Sequence, residues 1–192
     1  MNHRDIFTPQ YVDSSGPGST EEFSSLYRVF LEKFIKEHEI RSITDLGCGD
    51  MEIMSRVDMG RASYVGIDVI EERIRRNRIK FPHLRFHVSD LREYEPASDL
   101  VLCKDVIQHW ATGETLAWLG KLVTCPFRFA LITNCNYTPN PPWPGVNADI
   151  DTGAWRPIDL TAKPFSLGKV VFAWGEPRKD VVLVEGTRYA ST

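Results

Sequence analysis

The chain has 192 residues, a length that predicts one domain (1–192) and leaves no room for a second large one. With 42% hydrophobic and 26% charged residues it has the composition of a globular protein with a real core, so disorder is not expected. The 23 Lys and Arg against 26 Asp and Glu leave a net charge of −3, which advertises neither nucleic acid nor an anionic membrane as partner.

The first 18 residues end in SSGPG and read as an arm or loop. Ser19 and Glu22 then form a capping-box signature, and Phe23, Leu26, Tyr27, Phe30, Leu31, Phe34 and Ile35 recur at helical spacing. Strand-like runs follow at 42–46, 64–69, 84–88, 100–104 and 128–133, with helical segments predicted after the first, second and fourth. That alternation predicts an α/β fold of βαβ units around a mostly parallel, doubly wound sheet. Residues 134–167 are rich in Pro, Asn and Asp and lack periodicity; so long a loop suggests an acceptor-side wall or lid. Two further runs, 169–174 and 180–186, flank GEPRK and predict an antiparallel C-terminal hairpin.

Cys48, Cys103, Cys125 and Cys135 form no CxxC pair and no His/Cys cluster at zinc spacing. They read as reduced thiols, and with no signal-peptide pattern at MNHRDIFTPQ the expected compartment is cytoplasmic. No apolar run reaches the roughly 18–20 residues that a membrane-spanning helix needs.

Asp45-Leu46-Gly47-Cys48-Gly49-Asp50 closes the first strand. Its glycines permit a tight turn and close approach to a ligand. A nicotinamide-binding turn would carry a third glycine where Glu52 stands, a poor neighbour for pyrophosphate, whereas Asp45 suits a cationic amino group. Asp68, with Val69 beside it, ends the second strand 19 positions after Gly49, where an acid accepts from two ribose hydroxyls. Ser89-Asp90-Leu91 follows the third strand, where Asp90 can accept from an adenine amino group. Amino acid, ribose and adenine without phosphate are the parts of S-adenosylmethionine.

On DLGCGD, VGID, SDL and CKDVIQHW, the sequence resembles the class I S-adenosylmethionine-dependent methyltransferases over about residues 20–134. The resemblance implies a Rossmann-like, seven-stranded sheet with an antiparallel C-terminal hairpin. It also implies cofactor contacts from Asp45, Gly47, Gly49, Asp68 and Asp90, with Cys48, Val69, Ser89, Leu91 and Lys104 counted beside them. Met51 departs from the pattern, standing where many members have a third glycine.

The segment after the fourth strand falls where such folds place the acceptor. If the chain turns helical at Asp105, Asp105 and His109 share a face, and His109 can act as general base on a hydroxyl while Asp105 orients it. The alternative is a capping box of Asp105 with Gln108, His109 packing beside Trp110. Gln108, Trp110, Asn134, Asp149, Asp151, Trp155 and Arg156 are the candidate acceptor contacts, because carboxylates and aromatic faces suit a polyhydroxylated molecule. With SGPGST and ITN, the stretch 147–160 shows a weaker resemblance to a branch associated with sugar or glycan O-methylation. The competing reading is a loop whose polar groups serve its own backbone.

Asp105, Asn134 and Asp149 or Asp151 could supply oxygen ligands, but the spacing is no recognised metal site, so a divalent metal is unassigned. Asn140-Pro141-Pro142-Trp143 is similar to the NPPY/W signature of amino-methyltransferases, yet it follows the fifth strand and reads as a loop turn. The helix at 71–80 carries Arg73, Arg75, Arg76, Arg78 and Lys80, which suits either RNA or a solvated face. Small molecules, protein side chains and RNA are the alternative acceptors. The oligomeric state is not legible.

Overall fold

The computed structural model describes residues 2–13, 21–135, 144–175 and 178–186. Seven strands form one sheet in the order β3-β2-β1-β4-β5-β7-β6, where β1 is Ser42–Leu46, β2 Ser63–Asp68, β3 Arg85–Val88, β4 Ser98–Cys103, β5 Phe127–Asn134, β6 Lys169–Trp174 and β7 Lys179–Glu185. Strand β2 runs parallel to both β1 and β3, and β7 runs antiparallel to both β5 and β6. This is the mixed, mostly parallel α/β sheet with the antiparallel hairpin that the sequence predicts. The helices are α1 (His3–Tyr11), α2 (Glu21–Glu37), α3 (Glu71–Lys80) and α4 (Thr112–Leu122).

Packing divides the chain into two compact units, Met1–Tyr94 with Ser98–Leu100, and Glu95–Ala97 with Val101–Thr192. All six residues of β4 are buried, the pattern of a strand covered on both faces. Both sheet edges are short and exposed: β3 buries only Phe86, and β6 buries only Trp174 and is bulged between Val170 and Phe172, which discourages further pairing. In the first unit, Tyr27, Leu31, Phe34 and Ile35 of α2 are buried, as are Ile43, Leu46, Ile67 and Ile74. In the second, Leu102, Phe127, Leu131, Val181 and Val182 are buried, and Trp110 meets Trp118 edge to face at 5.5 Å.

Two local expectations are corrected. The first 18 residues are not simply an arm, since α1 occupies His3–Tyr11 with its N-terminus capped by Asn2. Pro9 within it hides the helix from propensity, because proline removes an amide from the ladder. What holds it is side-chain packing: His3 and Phe7, four apart, are buried with ring centroids 5.3 Å apart, Arg4 pairs with Glu71, and Arg76 donates to the Val12 carbonyl. The helix predicted after β1 is also replaced, by a single 3-10 turn at Met54–Arg56. The Ser19–Glu22 capping box and residues 140–143 lie outside the described residues.

Candidate active site

The turn after β1 is built on backbone conformations that L-residues resist. Gly47 and Gly49 take φ of 82° and 56°, and the amides of Gly47 and Cys48 both donate to the Ile67 carbonyl, at 2.8 and 3.0 Å. Met51, the departure from the resembled pattern, adopts φ 65°, so the turn keeps a left-handed backbone there with a side chain on it. Left-handed backbone costs a non-glycine residue roughly 1–2 kcal/mol, while losing a buried Met side chain costs about 2–5 kcal/mol. Met51 is 1% exposed, so the packing loss outweighs the relief, and Met51→Gly is expected to destabilise the fold in urea titration by about 1–3 kcal/mol.

Around this turn the first unit gathers buried polar groups. Asp45 is buried at the end of β1 and accepts from the Tyr64 hydroxyl at 2.8 Å, which also lies 3.0 Å from Met51 Sδ. Asp68 is buried at the end of β2; its two oxygens accept from the Gly49 amide at 3.0 Å and the Ile70 amide at 2.9 Å. Burial pushes its carboxyl up, with the Ile70 amide, Arg73 and the Gly49 amide partly opposing. Each carboxylate oxygen has two lone pairs, so capacity remains for a diol. Asn77 Nδ2 holds the Gly49 carbonyl at 2.8 Å, fixing α3 to the turn. One turn earlier on α3, Arg73 is 6% exposed, yet its Nε and Nη2 have no hydrogen-bond partner among the described residues. A buried cation with orphaned donors is costly unless a ligand fills them.

The remaining cofactor candidates are placed as follows. Cys48 turns its thiol inward: a Cβ on Gly66 would sit 2.9 Å from its Sγ, and burial pushes the thiol up, so it offers backbone and not chemistry. Val69 is half-buried and Leu91 buried. Ser89 donates from its hydroxyl to the Asp90 carbonyl. The Asp90 carboxylate is gripped by Arg92, through Nη2 at 2.6 Å and Nε at 3.0 Å, with His3 Nδ1 at 3.6 Å. Burial raises this carboxyl, but Arg92 outweighs burial and holds it below its usual range.

In the second unit the chain does not turn into an α-helix at Asp105. Asp105 takes φ 57°, Val106 precedes a 3-10 turn at Ile107–His109 with no side-chain cap, and α4 starts only at Thr112. Neither the shared helical face of Asp105 and His109 nor the Asp105–Gln108 capping box forms. The Asp105 carboxylate goes instead to two ammonium groups, Lys104 Nζ at 2.5 Å and Lys179 Nζ at 2.7 Å on the same oxygen, and accepts from the Thr133 hydroxyl on the other. Burial would raise it, but the two lysines dominate and hold it far below the carboxylate range. Lys104 therefore belongs to this cluster.

His109 sits with Nδ1 3.0 Å from the Ala154 carbonyl. A carbonyl only accepts, so Nδ1 carries the proton and Nε2 is the basic nitrogen. Burial lowers the imidazole below its ordinary 6.5, and the Ala154 carbonyl and Asp105 offset this only in part.

In the described part of the segment predicted as an acceptor wall, several polar side chains bond to protein groups. Asn134 is fully buried and bonds Asp159 and the Leu160 amide; Asn147 bonds the Asp159 and Lys163 carbonyls; Asp149 accepts the Thr112 amide at the start of α4. Arg156, fully buried, donates to the Thr112 hydroxyl and the Ala148 carbonyl, and Trp110 is 1% exposed, so both serve the core and present no face to an acceptor. Gln108 is buried with Oε1 unpartnered among the described residues, Trp155 is half-buried and Asp151 exposed. Among the described residues no three His, Cys, Asp or Glu side chains cluster to hold a metal ion. Nor is any described helix long and apolar enough to cross a membrane.

Tyr64, Arg73, Asn77 and Lys179 were not predicted as site residues. Arg73 and Asn77, four apart on the face of α3 that meets the turn, carry a signal the sequence does hold, polar residues within a buried stripe.

No family sequence model and no curated protein sequence matches the chain. Solved structures do. Magnesium protoporphyrin IX methyltransferase from Synechocystis PCC 6803, with bound SAH, superposes at TM-score 0.66 and 14% identity over 95% of this chain and 94% of that one. The N-methyltransferase NodS from Bradyrhizobium japonicum WM9, also with SAH, gives 0.63 at 9% identity over 97% and 100%. The bifunctional kinase-methyltransferase WbdD gives 0.62 at 16% identity over 91% of this chain and 41% of that one. With this strand order and the acids at the ends of β1, β2 and β3, the chain has the fold of the class I S-adenosylmethionine-dependent methyltransferases.

Proposed function

We propose that the protein is an S-adenosylmethionine-dependent O-methyltransferase whose acceptor is a hydroxyl of a sugar or glycan. The observation that carries the cofactor is the buried set Asp45, Asp68 and Arg73 around the Gly47–Gly49 turn: two acids with acceptor capacity and one cation with orphaned donors. Asp45 would take the amino group and Asp68 the ribose diol, with the orphaned donors of Arg73 directed to the ligand's oxygens. Asp90, committed to Arg92, would serve the adenine through the backbone it fixes. The bound cofactor supplies an electrophilic methyl group, so the chain's own work is to position the acceptor and remove its proton. His109 Nε2 suits that task, being neutral at physiological pH with its tautomer set by Ala154.

The RNA alternative loses its main support. On α3, Arg73 is buried, Arg75 and Arg76 pair with Glu72, and Arg78 donates to the Phe86 carbonyl. Four free, buried cysteines support a reducing, cytoplasmic setting. Calorimetry with SAH, followed by radiolabelled methyl transfer to sugar, protein and RNA acceptors, tests the reading. SAH binding with transfer to a sugar is expected. Absence of SAH binding overturns the cofactor assignment, and transfer confined to protein or RNA overturns the acceptor.

A further inference from the structure

Arg73, in the first unit, holds a pair of buried donors that no described group answers. It is 6% exposed, and its Nε and Nη2 have no hydrogen-bond partner among the described residues. Those two nitrogens are neighbours on one edge of the planar guanidinium, and that edge matches the two oxygens of a carboxylate. The chain uses the edge in this way elsewhere. Arg75 sets Nε and Nη2 on the two oxygens of Glu72, both at 2.8 Å, and Arg92 sets them on the two oxygens of Asp90, at 3.0 and 2.6 Å. Arg73 has the same edge, more deeply buried, and lacks the carboxylate. Its charge is felt by the Asp68 carboxyl at the end of β2, by the Cys48 thiol within the glycine turn and by the Tyr11 hydroxyl at the end of α1, so the guanidinium lies beside the turn. The acids of its own helix pair elsewhere, Glu71 with Arg4 and Glu72 with Arg75 and Arg76. Asp68 accepts from the Gly49 and Ile70 amides and takes neither of these two donors. An ionic edge left empty in the interior is a cost that a ligand carboxylate removes.

We infer that Arg73 is a carboxylate subsite whose Nε and Nη2 edge takes the amino-acid carboxylate of the cofactor. The inference deepens the methyl-transfer reading above and rests on it: S-adenosylmethionine carries one carboxylate, and the acids Asp45 and Asp68 cannot receive it. The ribose hydroxyls are weaker claimants, because neutral oxygens bond a guanidinium less strongly than a carboxylate does and Asp68 serves the diol in that reading. Arg73 is thereby the residue that tells a ligand with the amino-acid tail from a bare nucleoside.

The test is calorimetric titration of the full chain with three probes: SAH, its decarboxylated analogue, which keeps the amine, and methylthioadenosine, which keeps only the nucleoside and a thioether. The unmodified chain is expected to bind SAH about tenfold or more tightly than the decarboxylated analogue. Arg73→Met is expected to bring SAH down to the level of that analogue while methylthioadenosine affinity stays within about threefold, and Arg73→Lys to keep part of the preference. Without ligand, Arg73→Met is expected to melt at the same or a higher temperature, because it removes an unanswered buried cation; an arginine that only held the fold would lower it. Equal binding of SAH and its decarboxylated analogue by the unmodified chain overturns the inference without use of any variant. An Arg73→Met protein that weakens SAH and methylthioadenosine alike also overturns it, since the donors then serve the nucleoside, as does one that keeps the full SAH preference. If the unmodified chain binds neither SAH nor methylthioadenosine, the cofactor reading itself falls and the inference with it, a result distinct from binding both without preference.

Discussion

Replacing His109 by alanine is expected to lower kcat by roughly 10²–10⁴-fold, the usual contribution of a positioned general base. The pH profile supplies the sharper readout. Burial lowers the imidazole below its ordinary 6.5, and the neutral form is the competent one. The rate should therefore be level above about pH 6.5 and fall as pH drops through the depressed value. His109→Ala is expected to remove that acid limb along with most of the rate, and SAH affinity should be unchanged. A variant with full kcat, or with the acid limb intact, means that another group accepts the proton. Because Asp105 is spent on two lysines and Thr133, Asp105→Asn is not expected to reproduce the His109 phenotype.

The second large effect falls on the cofactor. Asp68→Ala removes the acceptor for a diol and the clamp on the Gly49 and Ile70 amides, and leaves the Arg73 cation further from balance. Hydrogen bonds to a charged group contribute about 1.5–3 kcal/mol each, so losing two corresponds to a drop in SAH affinity of about a hundredfold or more. Asp68→Asn keeps the shape and loses the charge, and a smaller drop is expected. Since burial raises the Asp68 carboxyl and binding uses the carboxylate, affinity should decline in acid from a pH above the ordinary 3.8. Calorimetry checks both. A correctly folded Asp68→Ala protein whose SAH affinity is within about threefold of the original would remove Asp68 from the site.

Much of the sheet was legible locally. Strands β1 and β6 occupy the predicted 42–46 and 169–174, and the other five lie within two residues of their predicted bounds. Short apolar runs between turn residues carry that signal within a few positions. Helix α1 was not legible because Pro9 argues against it, and contacts with Glu71 and Arg76 of α3, more than 60 positions away, help to hold it. The pairing expected of Asp105 with His109 does not form, and the partners Asp105 does take were not legible. A left-handed φ at Asp105 is a tertiary outcome, and it turns the carboxylate to Lys179, 74 positions along the chain. The polar loop residues were legible as residue types alone: Asn134, Asp149 and Arg156 look like acceptor contacts, yet the structure spends them on backbone amides, carbonyls and hydroxyls.

By itself, the sequence determined the strand runs, the periods of α2, α3 and α4, the glycine turn and the order of the acids Asp45, Asp68 and Asp90, because each depends on neighbours a few residues apart. Only the tertiary structure decided which charges meet. Arg73 is one arginine among four on its helix until burial beside Asp68 separates it from the others, and Lys179 is a strand-end lysine until folding sets it on Asp105. The physical reason is that charge pairing acts through space in a poorly screened interior, and sequence spacing carries no measure of that distance.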